Sequence, residues 1–448
     1  MERRPDMGKK DKDTVGSFGK KGKKGKIPLT FLDFEFENID QNTVKRHILF
    51  LILASLVTKF FVLLLTPLVF HSFIDLFDIG FYFEHAIKMV QGQLPYINYS
   101  FDYPILIFIP ITLALIPALA FQSAMAFVYT FQFLMVVCDI VTILCIYFIA
   151  LKVWDEKTAF IAGLVYATAF STAYFVLTKY DAFPTCLLMV AVLFTVYGMN
   201  RKGYLFAALG FFAKIFPAIA FPFMVFYNAK KTSIKQEVIE ALKVIVPLSL
   251  ILLVPFVLIR PDVINTYLFA TGSSVGIYVN TATFTLYAYL HEIGHLGITP
   301  SMVSTLMYVM MGVVFLILVY IAYIDTEKRP VTFLKILLCA IFSVVFLTKF
   351  HSPQYIVWFT PFLCLLVADN PFKILLFYVT QVFAYIEFPL MFGGFYTNLE
   401  YVNPVGSADW YLTLFFFTIQ YAALLVLMYY VIQPWEIVQQ IRKNHTEK

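Results

Sequence analysis

The sequence predicts an all-α integral membrane protein of about eleven or twelve membrane segments, and three observations carry that prediction. Of 448 residues, 60% are hydrophobic and only 14% are charged, whereas soluble domains carry roughly a quarter charged residues. The mean hydropathy is +0.80. The apolar residues also fall into runs approaching the roughly 20 residues that cross a bilayer. A soluble globular protein and a disordered chain are both excluded.

The chain begins with a basic stretch. Residues 1–26 hold ten Lys/Arg against four Asp/Glu, so the formal net charge of +5 belongs to this segment and the remainder balances at 23 against 24. Gly, Ser and Lys in this proportion bury no core, and residues 1–46 read as a disordered cytoplasmic tail held near anionic lipid, with no nucleic-acid partner. Apolar runs follow near 47–70, 104–121, 124–150, 158–177, 182–198, 203–227, 240–259, 302–324, 331–348, 355–368, 371–392 and 408–432. The polytopic domain is therefore expected over 47–432, with large external loops at 71–103 and 260–301 and a cytoplasmic tail at 433–448.

Lys and Arg accumulate in cytoplasmic loops. Placing Lys152/Lys157, Arg201/Lys202, Lys230/Lys231/Lys235, Lys328/Arg329, Lys373 and Arg442/Lys443 inside requires an even number of crossings between successive clusters. Two runs resist that count. Residues 104–121, interrupted by Pro104, Pro110 and Pro117, would be re-entrant or interfacial, and 203–227, interrupted by Lys214 and Pro217, would be a broken hairpin or half-helix pair. The assignment explains 27 of the 33 Lys/Arg and leaves six: Lys59, Lys88, Lys179, Lys214, Arg260 and Lys349. A cation against the positive-inside bias, at membrane depth, needs a partner.

The first external loop is the densest in candidate chemistry. Asp75 and Asp78 lie three apart, Glu84 and His85 follow one to two turns later, and Tyr96, Asp102 and Tyr103 come next. If 79–91 is a helix, Asp78 is either its N-cap or a general base for an attacking hydroxyl. A second group is Lys349, His351, Ser352 and Gln354 in a short turn between spans, a cation with amide and hydroxyl donors suited to a phosphate, or else a snorkelling lysine. Lys214 has no acid near it in sequence. Asp139 and Asp181 are its possible counter-charges, and a structural ion pair would account for them.

His291-Glu292-Ile293-Gly294-His295 is a literal HExxH, which on a helix would set two imidazoles on one face for zinc. Its context argues against that: Ile298 and Ser301 stand where further ligands would be sought, and Gly294, Gly297 and Pro300 crowd the helix. An interfacial loop helix is preferred, and no metal site is assigned. The five cysteines lie in apolar runs without CxxC spacing, so no disulfide framework or thiolate site is indicated. The first apolar run is too long for a cleavable signal. No repeat of 20 to 50 residues is visible.

Asp78-Ile79-Gly80-Phe81-Tyr82, Gly92-x-x-Pro95-Tyr96, Phe101-Asp102-Tyr103-Pro104, Tyr180-Asp181-Ala182, Lys214-Ile215-Phe216-Pro217 and Lys349-Phe350-His351-Ser352-Pro353-Gln354-Tyr355-x-x-Trp358, in this order, resemble the GT-C superfamily of polytopic glycosyltransferases. Within it they are most similar to the polyprenyl-phosphate-mannose-dependent α-mannosyltransferases of bacteria and archaea and to the catalytic subunit of the first mannosyltransferase of GPI-anchor assembly. The motifs span residues 75–360. Ile105 departs from the usual Tyr-Pro-Pro, and the loop after Arg260 lacks the expected Arg-Gly.

The resemblance implies a GT-C-type bundle with re-entrant or interfacial helices in the first external loop. It implies an inverting transfer of a hexose, mannose by preference, from a polyprenyl- or dolichyl-phosphate sugar to an acceptor hydroxyl on a lipid-linked glycan or glycolipid. Asp78 would be the base; Lys349, His351, Lys214 and Arg260 would bind the donor phosphate. Asp75, Tyr82, Glu84, Tyr96, Asp102, Tyr103, Asp181 and Gln354 would contact sugar or acceptor, with Asp75 and Glu84 as alternatives to Asp78. No cofactor is required, though a divalent cation is compatible. Membrane lipids are the surroundings, and a partner subunit is not specified. The active site is expected on the external or lumenal face of a prokaryotic plasma membrane, archaeal by preference, with the endoplasmic reticulum as the other setting. The competing classes are an HExxH zinc protease and a flippase or transporter of lipid-linked sugars.

Overall fold

The computed structural model describes residues 40–99, 101, 103–230, 232–262, 276–325, 327 and 329–433, and a two-residue antiparallel pair, β1 (Gly25–Lys26) with β2 (Glu35–Phe36). Asp102 and the expected terminal tails therefore fall outside the described residues, apart from that pair, 40–46 and Gln433. The chain divides into two compact units, 1–49 and 50–448. The first contains the strand pair and the start of a helix; everything that follows concerns the second.

Among the described residues the second unit is helical throughout. Its helices, in order, are α1 (Gln41–Leu68), α2 (Phe77–Val90), α3 (Phe108–Ala120), α4 (Ala124–Val153), α5 (Glu156–Ala167), α6 (Phe170–Thr178), α7 (Ala182–Val196) and α8 (Asn200–Ala213). Then come α9 (Ala220–Asn228), α10 (Ile234–Ile259), α11 (Ala282–Tyr287), α12 (Pro300–Ile324), α13 (Pro330–Leu347), α14 (Ile356–Val367), α15 (Pro371–Tyr385) and α16 (Ala408–Ile432). Among the described residues seven helical segments are long and apolar enough to cross a membrane, eight if the bent pair α5–α6 counts as one, and there are four shorter apolar helices. The chain is a multi-pass integral membrane protein. Each apolar run expected from the sequence is found as helix, and the two that resisted the topology count are irregular, as is the bent run 158–177: 104–121 is a short helix, and 203–227 breaks at Lys214.

Local chemistry explains where helices start. Ser123, Asp155, Thr281, Thr299, Asn370 and Ser407 cap α4, α5, α11, α12, α15 and α16 with side-chain oxygens, and Ser233 with Gln236 forms a reciprocal capping box on α10. These residues satisfy backbone N–H groups that have no partner within the helix. Proline at the first position opens α12, α13 and α15, where its missing N–H costs nothing.

Helices α4, α7, α13 and α14 bury most of their surface, whereas α10 presents Leu250, Ile251, Leu258 and Ile259 outward, as expected of a helix facing acyl chains. Small residues allow the closest approaches: a Cβ on Gly210 would lie 2.9 Å from Pro217 Cβ. That contact draws the chain after α8 back against the helix and fixes the turn that carries Lys214.

Candidate active site

The end of α6 and the loop before α2 meet at one end of the bundle. Lys179, the residue after α6, extends its ammonium to Asp75 Oδ2 at 2.6 Å and to Asp78 Oδ2 at 3.1 Å. All three side chains are largely buried. The loop is held from behind by Tyr174, whose hydroxyl donates to the Phe73 carbonyl and accepts the Asp75 backbone N–H, both at 3.0 Å.

Asp78 is not the helix cap. The helix begins at Phe77, two residues earlier than expected, and its N-cap is Leu76. Asp75 Oδ1 accepts the Phe77 N–H at 2.9 Å, so Asp75 does the local capping and Asp78 stands in the first turn with its carboxylate directed to Lys179. Burial raises the Asp78 carboxyl above the ordinary aspartate range; Lys179 opposes that rise, while the charges of Asp75 and Asp181 reinforce it.

A second pair lies beside the first. Lys214 Nζ is 2.6 Å from Asp181 Oδ1, which also accepts the Trp358 indole N–H. The rings of Tyr180, Trp358 and Tyr355 surround the ammonium at 4.6, 5.0 and 5.4 Å, a cation–π arrangement that holds it tightly in a dry setting. Asp181 is thus the counter-charge of Lys214, and Asp139 belongs to Lys59 (2.6 Å). An aromatic cluster joins the two acidic centres: Tyr82 meets Tyr103 and Tyr180 edge to face, each at 5.8 Å, and Tyr103 meets Tyr180 at 5.1 Å. Burial raises the Tyr103 phenol, and the charges of both Asp78 and Asp181 raise it further. At this junction the Tyr180 hydroxyl and Asp181 Oδ2 are buried with no hydrogen-bond partner among the described residues.

Three carboxylates therefore share two ammonium groups. Lys179 makes its shorter contact with Asp75, and Lys214 is committed to Asp181. Asp78 is the acid least neutralised by its surroundings.

Several residues anticipated from the sequence do other work. Glu84 is exposed and pairs with Lys88 four residues on at 2.8 Å, on a face of α2 different from that of Asp78. Tyr96 is a core residue whose hydroxyl donates to the Tyr103 carbonyl and whose ring packs on Phe101, Phe108 and Phe256. Arg260 anchors a turn, bonding Asp262 at 3.0 Å and the carbonyls of Tyr96 and Ile97 at 3.2 and 3.3 Å. His351 lines a small cavity with Glu387 and Gln420, and burial holds its imidazole down at about 4, so it is neutral near pH 7 and adds no positive charge. Lys349 follows α13 and makes no ion pair among the described residues; its backbone carbonyl accepts the Tyr278 N–H at 2.8 Å. Gln354 sits in the turn Pro353–Tyr355 that leads into α14.

The residue that sequence reasoning left out of the site is Lys179. Its signal was present, since it was one of six cations without a topological reason, two positions before Asp181.

The HExxH segment does not form a zinc-binding helix. Helix α11 ends at Tyr287 and loosens into a π-helical turn over Ala288–Ile293, Gly294 closes it, and His295 has φ +52°. His291 stacks on Tyr287 at 5.1 Å and pairs through Nδ1 with the Leu296 carbonyl at 3.1 Å. The two imidazoles thus lose the shared α-helical face on which the HExxH reading depends.

No protein-family profile and no curated protein matches the chain. Among solved structures it is similar to ArnT from Cupriavidus metallidurans bound to undecaprenyl phosphate, at 12% identity and a TM-score of 0.46 over 87% of this chain and 77% of that one. It is also similar to the archaeal oligosaccharyltransferase AglB from Archaeoglobus fulgidus in complex with an inhibitory peptide and a dolichol-phosphate, at 13% identity and a TM-score of 0.43 over 88% of this chain and 56% of that one.

Proposed function

We propose that this protein is a membrane glycosyltransferase that moves a hexose, mannose by preference, from a polyprenyl- or dolichyl-phosphate carrier to a hydroxyl of a lipid-linked glycan or glycolipid. The observation that carries the reading is the uneven sharing of charge at Asp75, Asp78 and Lys179, which leaves Asp78 buried, raised in pKa and only partly neutralised. A general base needs that condition: ionised at working pH, yet basic enough to accept a proton.

In the proposed step the acceptor hydroxyl gives its proton to an Asp78 carboxylate oxygen as its own oxygen bonds to the anomeric carbon. The bond from that carbon to the carrier phosphate oxygen breaks, and the electron pair leaves with the lipid phosphate. The anomeric centre inverts in this single displacement. Lys349, a cation without a paired acid among the described residues, would neutralise the departing phosphate in this reading, and a charge supplied in a site of low dielectric is worth more than one in water. Lys214 would act through its hold on Asp181 and the aromatic cluster. The orphaned Tyr180 hydroxyl and Asp181 Oδ2 would find partners on a sugar, which removes the cost of leaving them unmade. Asp78, Lys179, Lys214 and Lys349 are the residues assigned to chemistry, with Tyr82, Tyr103 and Gln354 as sugar or acceptor contacts. The step draws its charges from side chains and invokes no resident cofactor; a divalent cation could accompany the phosphate. Reaction on the external or lumenal face follows from the positive-inside placement of the basic loops.

The test is a radiolabelled transfer assay with the purified protein and a panel of polyprenyl-phosphate sugars. Covalent product is expected with one of them and is expected to vanish in Asp78→Asn while donor binding persists. Carrier movement across a bilayer without product would sink the transferase reading in favour of a flippase, and undiminished turnover in Asp78→Asn would remove Asp78 from its role.

A further inference from the structure

Carboxylates enclosed by the bundle mostly face an ammonium group: Asp139 faces Lys59, Asp181 faces Lys214, and Asp75 and Asp78 share Lys179. Glu387 is 2% exposed and makes no ion pair among the described residues. Its two carboxylate oxygens accept amide N–H bonds instead, Oε1 from Asn280 at 2.8 Å and Oε2 from Gln420 of α16. Acceptance at both oxygens is the arrangement of an ionised carboxylate. Glu237 makes no ion pair either, but it stands in the first turn of α10, where the partly positive helix end compensates it, and it accepts bonds from Asn200, Tyr204 and Thr232. Glu387 has the opposite setting. It follows the last residue of α15 in a π-helical turn, at the helix end that is partly negative and favours a cation.

The amides that hold Glu387 are themselves unsatisfied. Gln420 Oε1 and Asn280 Oδ1 are both buried with no hydrogen-bond partner among the described residues. Gln420 and Glu387 line a cavity of about 40 Å³ together with Thr281, Thr380 and the neutral His351, so Glu387 is the one charged side chain on its wall. That volume admits a small ion or a few water molecules; a sugar ring or a lysine side chain does not fit. A buried charge that stays ionised is paired or coordinates a metal.

We propose that this cavity is a site for a monovalent metal cation of sodium size, bound by the Glu387 carboxylate and the amide oxygens of Gln420 and Asn280. Carboxylate and amide oxygens are the ligands that hard cations take. The charge decides the valence: one carboxylate is neutralised by one positive charge, whereas calcium would keep a surplus charge and find few of the six to eight oxygens it takes. Each Glu387 oxygen has a lone pair beyond the one its amide engages, so the ion leaves those bonds in place. The ligands come from the segment before α11, the turn after α15 and the body of α16, and the ion would tie the three together. The segment bearing Asn280 also grips the Lys349 turn, through the Tyr278 N–H on the Lys349 carbonyl at 2.8 Å and the Thr283 hydroxyl on the Thr348 carbonyl at 2.9 Å. Occupancy would therefore steady the backbone that carries Lys349.

Two measurements on the full chain in phosphatidylcholine nanodiscs test the site. Thermal unfolding is compared in sodium chloride and N-methylglucamine chloride at matched ionic strength, which removes general screening, with calcium chloride as a third medium. Binding of radioactive sodium is counted per folded chain. Saturable protection by sodium is expected, with one bound ion per chain, and both are expected to vanish in Glu387→Gln. Gln420→Met keeps the carboxylate, removes one amide oxygen and should weaken sodium binding at least tenfold; should Glu387→Gln fail to fold, this variant decides. Equal stability in sodium and N-methylglucamine with no bound sodium would mean that water or a proton satisfies Glu387, and overturns the proposal. Sodium binding unchanged in either variant, or protection by calcium that sodium does not give, overturns it as well.

Discussion

Two buried lysine–aspartate sites in the membrane body differ in a way that separates architecture from chemistry. In the first, Lys59 of α1 meets Asp139 of α4 at 2.6 Å, with Ser55 bonded to both. One cation faces one acid, and the hydroxyl fills a further bonding direction. In the second, Lys179 stands between Asp75 and Asp78, and its neighbour Lys214 is already matched to Asp181. The balanced pair has nothing to offer a substrate. The unbalanced group leaves one carboxylate partly uncompensated beside an aromatic cluster, and burial then gives it a basicity an exposed aspartate lacks. Depth is common to both sites, so what distinguishes the group proposed to act on substrate is its uncompensated charge.

The contrast can be broken most sharply by removing one carboxylate from each site. Asp78→Asn should cut turnover by about 10²- to 10⁴-fold, the usual worth of a general base, without loss of the folded fraction. Asp139→Asn should leave turnover per folded molecule within a few-fold and instead destabilise by about 3–5 kcal/mol, because Lys59 is left buried and unpaired. A transfer assay with thermal unfolding of both variants checks this. Replacing the pair together, Lys59→Met with Asp139→Leu, should restore most of that stability, since an apolar pair of similar volume avoids the desolvation of both ions; a double variant no more stable than Asp139→Asn would count against a purely structural role.

A smaller effect sharpens the second site. Because burial raises Asp78 and Lys179 opposes the rise, Lys179→Met should move the acid limb of the kcat/KM profile to higher pH. The sign follows from the base being active only when ionised: activity falls as pH drops through its pKa, and loss of the nearby cation raises that pKa. A limb that stays in place would mean that Asp78 does not report on the rate. The smallest effect belongs to Glu84→Gln on the exposed face of α2, where turnover and unfolding temperature should both match the unaltered protein, as surface ion pairs contribute little.

Much of this architecture was legible before any coordinates. Run length in an apolar stretch is a local signal, and it located the helices to within several residues; the serine and asparagine caps and first-position prolines that fix their starts are equally local. The break of 203–227 at Lys214 was legible too, since a lysine in mid-run has to leave the bilayer core or find a partner. The site was legible as a set of regions: the loop with Asp75 and Asp78, the Tyr180-Asp181 pair, the Lys214 turn and the Lys349 turn. Which of their residues meet was not. Glu84 and Asp78 look alike in a sequence, but the helix beginning at Phe77 places them on different faces. Arg260 looked like a stranded cation and proved to be a clasp on the Tyr96 turn.

By itself, then, the sequence determined that this is a helical membrane protein, where its spans lie, and that six cations required an explanation. Only the tertiary structure decided the partners: Lys59 with Asp139, Lys214 with Asp181, and Lys179 shared between Asp75 and Asp78. The reason is one of range. Helix length and capping depend on neighbours within a turn or two, whereas these ion pairs join residues 33 to 104 positions apart, and a pairing over that distance exists only once the helices between have packed.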